Sequence, residues 1–257
     1  MSFSPRTAVS PIEPVKARLA GGQRLLGVLL RMPAEELVEM AAVSGFDFVL
    51  IDCEHGPADV TALRHHIVLA ETHGMAALVR VGSDEAALVL RALDQGAQGI
   101  VAPHIDTAED AAALVASVHY PPLGHRGFAT YSRVGRFGLV DPEQHRERYL
   151  SDTLVIGMIE SPLGVSNAAV IVAVPGLDGV MIGTADLGAS STADDPAPAD
   201  AVREVNRVLA EADSVRMDIV GDLQRASAAF ADGAQLVVYN LAAVLMAQLA
   251  QLRSARP

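Results

Sequence analysis

The chain carries one cysteine, one lysine, no basic run and no apolar stretch long enough to cross a membrane. Each shortage removes a class of function. Cys53 alone cannot close an intrachain disulfide, which fits a reducing cytoplasm. The lone lysine, Lys16, stands near the N-terminus, which argues against Schiff-base catalysis. With 19 Lys and Arg against 31 Asp and Glu the net charge is −12, a poor match to nucleic acid or an anionic membrane. The opening residues, MSFSPRTAVSPIEP, lack the apolar core of a secretory signal. Their Ser and Pro content predicts a mobile tail over residues 1–13, or an arm laid on a neighbour. Only 19% of residues are charged and 51% are hydrophobic, so 257 residues can bury a large core, as one large domain or two small ones.

What is present is organised around residues 46–57, FDFVLIDCEHGP. A mostly apolar run reads as a strand buried on both faces. It runs into two carboxylates and an imidazole, and Gly56 and Pro57 then turn the chain. In parallel α/β proteins the C-terminal ends of strands are where ligands bind.

The same alternation fills the chain from residue 14 on. Strands are predicted at 25–30, 46–52, 76–81, 98–103, 154–160, 177–183, 216–220 and 235–239. Helices are predicted between them, including 58–73, 84–95, 107–119, 142–150, 162–174, 201–212, 223–232 and a last one at 241–253. Two stretches lack a period: 120–140, rich in Gly, Arg and aromatics, and 188–199. A connection as long as the first is usually functional. Eight strand–helix units suggest a closed (β/α)8 TIM barrel over residues 14–257, with a doubly wound open sheet as the alternative.

A barrel brings the strand ends to one face. Strand two supplies Asp52, Glu54 and His55, strand three Arg80, strand five Glu160, and strand six Asp186. Two carboxylates without a Cys or His cluster suit a hard cation such as Mg2+ or Mn2+ with positions left for water and substrate. Arg80 suits a carboxylate or carbonyl oxygen. The turn Gly183-Thr184-Ala185 offers backbone N–H groups to an anion. Glu54 reads as a structural partner rather than a catalyst, and Met158 and Met181 as packing. His65, His66 and His73, on one helix, read as solvated. Arg126 reads as a partner of the acidic basin. A carboxylate at Asp94 opposes its helix dipole, which favours a specific partner for it.

Four blocks carry a family resemblance: FDFVLIDCEHGP; LVRV with LDQGAQGIVAPH; YPPLGHRG; and IGMIES with LDGVMIGTADLG. In this order they resemble the HpcH/HpaI family of class II, metal-dependent pyruvate aldolases, which includes 4-hydroxy-2-oxoheptanedioate and 2-dehydro-3-deoxyglucarate aldolases. The resemblance implies a barrel of the phosphoenolpyruvate/pyruvate-binding type and reversible cleavage of a 4-hydroxy-2-oxo acid to pyruvate and an aldehyde. It implies Glu160 and Asp186 as ligands of Mg2+ or Mn2+, with Co2+ a further option. It implies Arg80 on the pyruvate oxygens, His55 as acid/base, Asp94 as the carboxylate orienting His55, and Asp52 near the water shell of the metal. Gly183, Thr184 and Ala185 match the backbone that holds the pyruvate carboxylate. It further implies a homohexamer, a trimer of dimers, with the C-terminal helix exchanged between barrels. Many members have Gln where this chain has Met158, and FATYSRVGRFG also departs from well-known members. Oxaloacetate decarboxylation, or a Claisen-type condensation like that of the related citrate synthase or macrophomate synthase, is therefore an alternative reaction. A non-catalytic 2-oxo-acid binding protein is the alternative outside enzymes; the proton-relay set speaks against it.

Overall fold

A computed structural model describes residues 12–56 and 59–255. Residues 1–11 of the expected tail, and Pro57, lie outside the described residues. The order begins α1 (Val15–Ala20), β1 (Leu25–Leu30), α2 (Glu35–Val43), β2 (Phe48–Asp52), α3 (Val60–Thr72). It continues β3 (Ala76–Arg80), α4 (Ala86–Gln95), β4 (Gly99–Ala102), α5 (Ala108–Val118). A long connection with one 3-10 turn, Arg136–Gly138, leads to α6 (Pro142–Asp152), β5 (Leu154–Ile159), α7 (Pro162–Ser166) and α8 (Ala168–Val172). Then come β6 (Gly179–Ile182), α9 (Thr184–Ser190), α10 (Pro198–Glu211), β7 (Val215–Val220), α11 (Leu223–Ala231), β8 (Leu236–Asn240) and α12 (Leu241–Arg253).

All eight strands pair in parallel in chain order, and β8 pairs back onto β1. The sheet is closed, so the open-sheet alternative is excluded. Strand periodicity explains both the core and the site. Phe48 and Leu50, Ala76 and Leu78, and Leu154 and Ile156 belong to the interior cluster. Their neighbours Val49, Ile51, Ala77, Val79 and Val155 join the cluster that packs against the helices. Gly27 leaves room for the Phe48 ring, which a Cβ there would strike. Continuing the inward rows by two residues reaches Asp52, Arg80, Met158 and then Glu160. Asp52 and Arg80 are register partners across β2 and β3. The barrel mouth is therefore polar on this side because each of these three inward rows ends on a charged residue.

The opposite end is closed by α1. Val15 is fully buried within the interior cluster, and its N–H donates to Gln98 Oε1 at 3.1 Å. Lys16 Nζ lies 2.7 Å from Asp178 Oδ1, just before β6. The only lysine is thus at the end of the barrel away from Asp52, Arg80 and Glu160, as its sequence position suggested.

Three local expectations need correction. The helix expected over 162–174 breaks at Asn167, whose Nδ2 donates to the Asp106 carbonyl at 2.8 Å. The irregular stretch expected at 188–199 starts later, because α9 runs to Ser190. His66 is buried, not solvated: it shares the inner face of α3 with Leu63, Ile67 and Ala70, and its Nε2 accepts from the Ala34 N–H at 3.2 Å. Burial pushes its pKa down, which keeps it neutral as that acceptor role requires. His65 and His73 are exposed as expected.

Candidate active site

Asp52 is the centre of the mouth. Its Oδ1 accepts from Arg80 Nε at 2.9 Å and from the Glu54 and His55 backbone N–H groups, each at 3.2 Å. Its Oδ2 accepts from Arg80 Nη2 and from Arg31 Nε, the latter at 2.8 Å. Burial pushes the Asp52 pKa upward, but the Arg80 fork, Arg31 and the His55 N–H outweigh it and hold the carboxyl below its usual range. Burial likewise opposes the charge on Arg80, and Asp52, Glu54 and Glu160 outweigh it. With its lone pairs so engaged, Asp52 acts by aiming Arg80. The one Arg80 nitrogen outside the fork, Nη1, meets only Met158 Sδ among the described residues, at 4.0 Å. That leaves its protons to an incoming oxygen.

Glu54 forms the structural pair expected of it: its Oε2 lies 3.2 Å from Arg80 Nε. That oxygen is buried and takes no hydrogen bond. His55 sits just past β2 with its side chain 55% exposed, and its nearest acidic oxygen is Glu54 Oε1 at 3.9 Å. It has the access that a proton-transfer group at a mouth needs.

Glu160 follows β5 and is buried. Its Oε1 accepts from the His104 backbone N–H at 2.8 Å and lies 3.1 Å from His104 Nδ1. Burial raises its pKa; His104 pulls it down; the charges of Glu54 and Asp186 push it up. Asp186 is exposed in the first turn of α9, near enough for that repulsion to register. A Cβ at Gly183 would run into Glu160 Oε2, so only glycine lets this backbone pass the carboxylate. The Gly183 N–H is already spent on the Ile159 carbonyl at 3.0 Å. Thr184 and Ala185 open α9, where N–H groups have no partner within the helix, and they are the free donors of that turn.

Among the described residues no three His, Cys, Asp or Glu side chains form a closed metal cage. The carboxylates that could serve as donors are Glu160 and Asp186, two hard oxygen groups that repel each other. That chemistry fits a hard divalent cation such as Mg2+ or Mn2+, which keeps waters and open positions.

Asp94 takes its hydrogen bond from a partner other than His55. Asp94 Oδ1 is held by Arg126 Nη2 at 2.6 Å, and no hydrogen bond joins Asp94 to His55 among the described residues. The specific partner of Asp94 within the chain is Arg126. Arg126 is buried, so it pairs with Asp94 rather than with the carboxylates at the mouth. Its guanidinium lies 4.9 Å from the ring centres of both Tyr120 and Tyr149, which offset part of its desolvation. Tyr120 Oη meets His145 Nε2 at 3.2 Å. This cluster pins the irregular 120–140 connection between α4 and α6. A cavity of about 530 Å3 is also on that flank, lined by Ile67, Met75, Gln98, Arg133 and Tyr149 among others; Asp52, Glu160 and Asp186 do not line it.

Sequence reasoning missed His104 and Arg31. His104 stands two residues past β4, so the rule that found the other groups at strand ends applies to it as well. Arg31 directly follows β1.

A closed parallel barrel with an arginine, carboxylates and an exposed histidine past its strand ends has the architecture of a (β/α)8 enzyme. The chain belongs to the HpcH/HpaI aldolase/citrate lyase family, whose model matches residues 26–244. It is 36% identical over 178 residues to a 2-keto-3-deoxy-L-rhamnonate aldolase of Salmonella gallinarum, covering 69% of this chain and 66% of that one. It matches a 5-keto-4-deoxy-D-glucarate aldolase of Salmonella newport at the same identity, with 68% of each chain covered. Those alignments span about two thirds of the relatives' length. Among solved structures, an HpcH/HpaI aldolase from Desulfitobacterium hafniense superposes with a TM-score of 0.86 at 25% identity, covering 95% of this chain and 97% of that one. Citrate synthase SbnG follows at 0.80 and 27%, with 94% and 98% covered. Macrophomate synthase, at 23% identity and a TM-score of 0.80, shares the fold. Family and relatives carry aldolase names, and aldolases are carbon–carbon lyases; the chain is an enzyme of that class.

Proposed function

We propose that the chain is a divalent-metal-dependent aldolase that cleaves a 4-hydroxy-2-oxo acid to pyruvate and an aldehyde. The observation that carries this reading is the placement at one mouth of a clamped arginine and a buried carboxylate: Arg80, whose Nη1 meets only the Met158 sulfur among the described residues, and Glu160, whose pKa burial raises. Glu160 and Asp186 would hold the cation, Mg2+ or Mn2+ and as a further option Co2+. When bound, it supplies Lewis-acid stabilisation of the charge that develops on the 2-oxo group.

The chain's own groups do the rest. The N–H groups of Thr184 and Ala185 face the substrate carboxylate. Arg80 Nη1 donates to the oxygen on which charge grows as the C3–C4 bond breaks, and Asp52 keeps that guanidinium in place. His55, exposed at the mouth, takes the proton from the C4 hydroxyl. Asp94 contributes through Arg126 and the loop it anchors.

The test is pyruvate release from a panel of 4-hydroxy-2-oxo acids, with and without chelator. Keto-deoxy sugar acids come first in the panel because the relatives are named for them. Oxaloacetate belongs beside them, since the likeness to a citrate synthase supports a condensing or decarboxylating reading. Release from oxaloacetate alone favours that second reading; chelator-resistant release from any substrate refutes the metal.

The assembly we propose is a homohexamer, a trimer of dimers, working in the cytoplasm with α12 laid against a neighbouring barrel. Support comes from α12 itself: apolar over most of its turns, it has no buried residue in the single chain. No helix among the described residues is long and apolar enough to cross a membrane.

A further inference from the structure

The group least explained by this mechanism is His104. Its backbone is left-handed, with φ 55°, a conformation uncommon outside glycine and better tolerated by His, Asn and Asp than by most residues. That conformation brings two nitrogens of one residue to one oxygen: the backbone N–H at 2.8 Å and ring Nδ1 at 3.1 Å from Glu160 Oε1. The next residue is fixed too, since the Ile105 N–H donates to the Met158 carbonyl at 3.0 Å. The turn after β4 is thereby laced to β5 on both sides of the inward row that ends in Glu160.

An unrestrained carboxylate rotates and offers either oxygen. Here Oε1 accepts the His104 N–H and has the His104 ring nitrogen 3.1 Å away as a close charge contact, while among the described residues no donor hydrogen-bonds Oε2. Oε2 lies against Gly183, whose missing side chain keeps that side open, and Gly183 leads directly into Thr184, Ala185 and Asp186. We infer that His104 is a positioning residue for the metal centre: its backbone and ring lock Glu160 Oε1 and so reserve Oε2 for the divalent cation it shares with Asp186. This inference rests on the metal reading above. A group that orients a ligand in this way typically changes metal affinity by about 10–100-fold when removed.

The geometry selects its own controls. The Nδ2 of asparagine occupies the place of histidine Nδ1, and asparagine also tolerates the left-handed backbone. Glycine keeps that backbone and its N–H but has no ring. Aspartate places an oxygen that cannot donate where the nitrogen was.

The experiment is Mn2+ titration of the purified full-length protein, followed by loss of the free-ion electron paramagnetic resonance signal. Wild type, His104→Asn, His104→Gly, His104→Asp and Glu160→Gln are compared, each checked for folding by circular dichroism. Wild type and His104→Asn are expected to bind within about threefold of each other, with His104→Gly weaker by about tenfold and His104→Asp weaker still. His104→Gly binding as tightly as wild type would overturn the inference and leave the metal reading intact. Equal weakening of His104→Asn and His104→Gly would also overturn it, because a donor at the Nδ1 position would then be irrelevant. Wild type that binds no Mn2+, or binds it as well as Glu160→Gln does, would overturn the metal reading and this inference together.

Discussion

Asp52 and Arg80, opposite each other on β2 and β3, form a two-point fork in which the carboxylate holds the guanidinium by Nε and Nη2 and leaves Nη1 for a ligand. Both are buried. Losing one charge of a buried pair costs up to about 3–5 kcal/mol, and Glu54, 3.2 Å from Arg80 Nε, offsets part of that. Asp52→Asn is therefore expected to lower stability by less than that full amount in urea denaturation. Arg80→Lys should fold better, since it keeps a charge for Asp52, yet lose substrate recognition because an ammonium lacks the planar fork. A variant Asp52→Asn as stable as wild type would show that Arg31 and the backbone donors, not the charge pair, hold this corner.

Glu160 gives a stability prediction with a definite sign. Burial, helped by Glu54 and Asp186, raises its pKa against the pull of His104. The folded chain thus binds this proton more readily than the unfolded one. The favourable contribution is complete below the ordinary carboxylate pKa and is lost as pH rises through the raised value. At neutral pH without metal, Glu160→Gln should melt a few degrees above wild type. Added Mn2+ should raise the melting temperature of wild type and leave the variant unchanged. Equal melting at pH 4 and a gap at pH 7 is the pattern expected; a variant that melts lower at neutral pH contradicts it.

His55→Ala should reduce aldol cleavage by about 10^2–10^4-fold, the usual worth of a positioned proton acceptor. Pyruvate and Mn2+ affinity should change little, because the proton moves only in the transition state. Oxaloacetate decarboxylation should survive, since loss of CO2 needs no base at a hydroxyl. Parallel loss of both activities would make His55 a ligand-positioning group.

The parts of the site that could be read in the sequence are those that two rules reach. Period two, applied to buried strands, places Asp52, Arg80 and Glu160 on inward rows, and closure of eight units brings those rows to one mouth. His104 obeys the same strand-end rule but hides in a turn whose left-handed backbone has no signal in the letters VAPH. His66 was legible in principle, being three and four residues from Leu63 and Ala70 on one helical face. The pairing of Asp94 with Arg126 was not, because it spans 32 residues and is fixed by two tyrosines from either side of an aperiodic connection. Long-range charge pairing depends on where a loop lands, which no local pattern encodes.

The Arg126 cluster is expected to govern that loop. Arg126→Met keeps much of the apolar stem but strips Asp94 of its partner. The segment 120–140 should then lose protection in hydrogen exchange while barrel strands keep theirs. Uniform loss across the barrel would mean that the cluster supports the whole fold.

The last prediction concerns α12. A barrel helix needs one apolar stripe against the strands, and Leu241 already packs on the main core. Beyond that first turn Met246, Leu249 and Leu252 are 64, 58 and 71% exposed. Three large apolar side chains at successive turns of one helix form a patch of the kind that marks an interface in a water-facing protein. The assembly in solution is therefore expected to exceed the 26.9 kDa of one chain in light scattering. Truncation after Asn240 would also remove Leu241 from the core, so a double substitution, Leu249→Glu with Leu252→Glu, is the cleaner test. It leaves the Asn240 cap on the Ala243 N–H and the first turn in place. The variant should dissociate while keeping the wild-type circular dichroism spectrum. If α12 also shapes the mouth of a neighbouring barrel, cleavage activity falls in the dissociated form; if it only glues subunits, activity per chain holds. A monomeric wild type, or a double variant that stays assembled, places the contact elsewhere on the barrel.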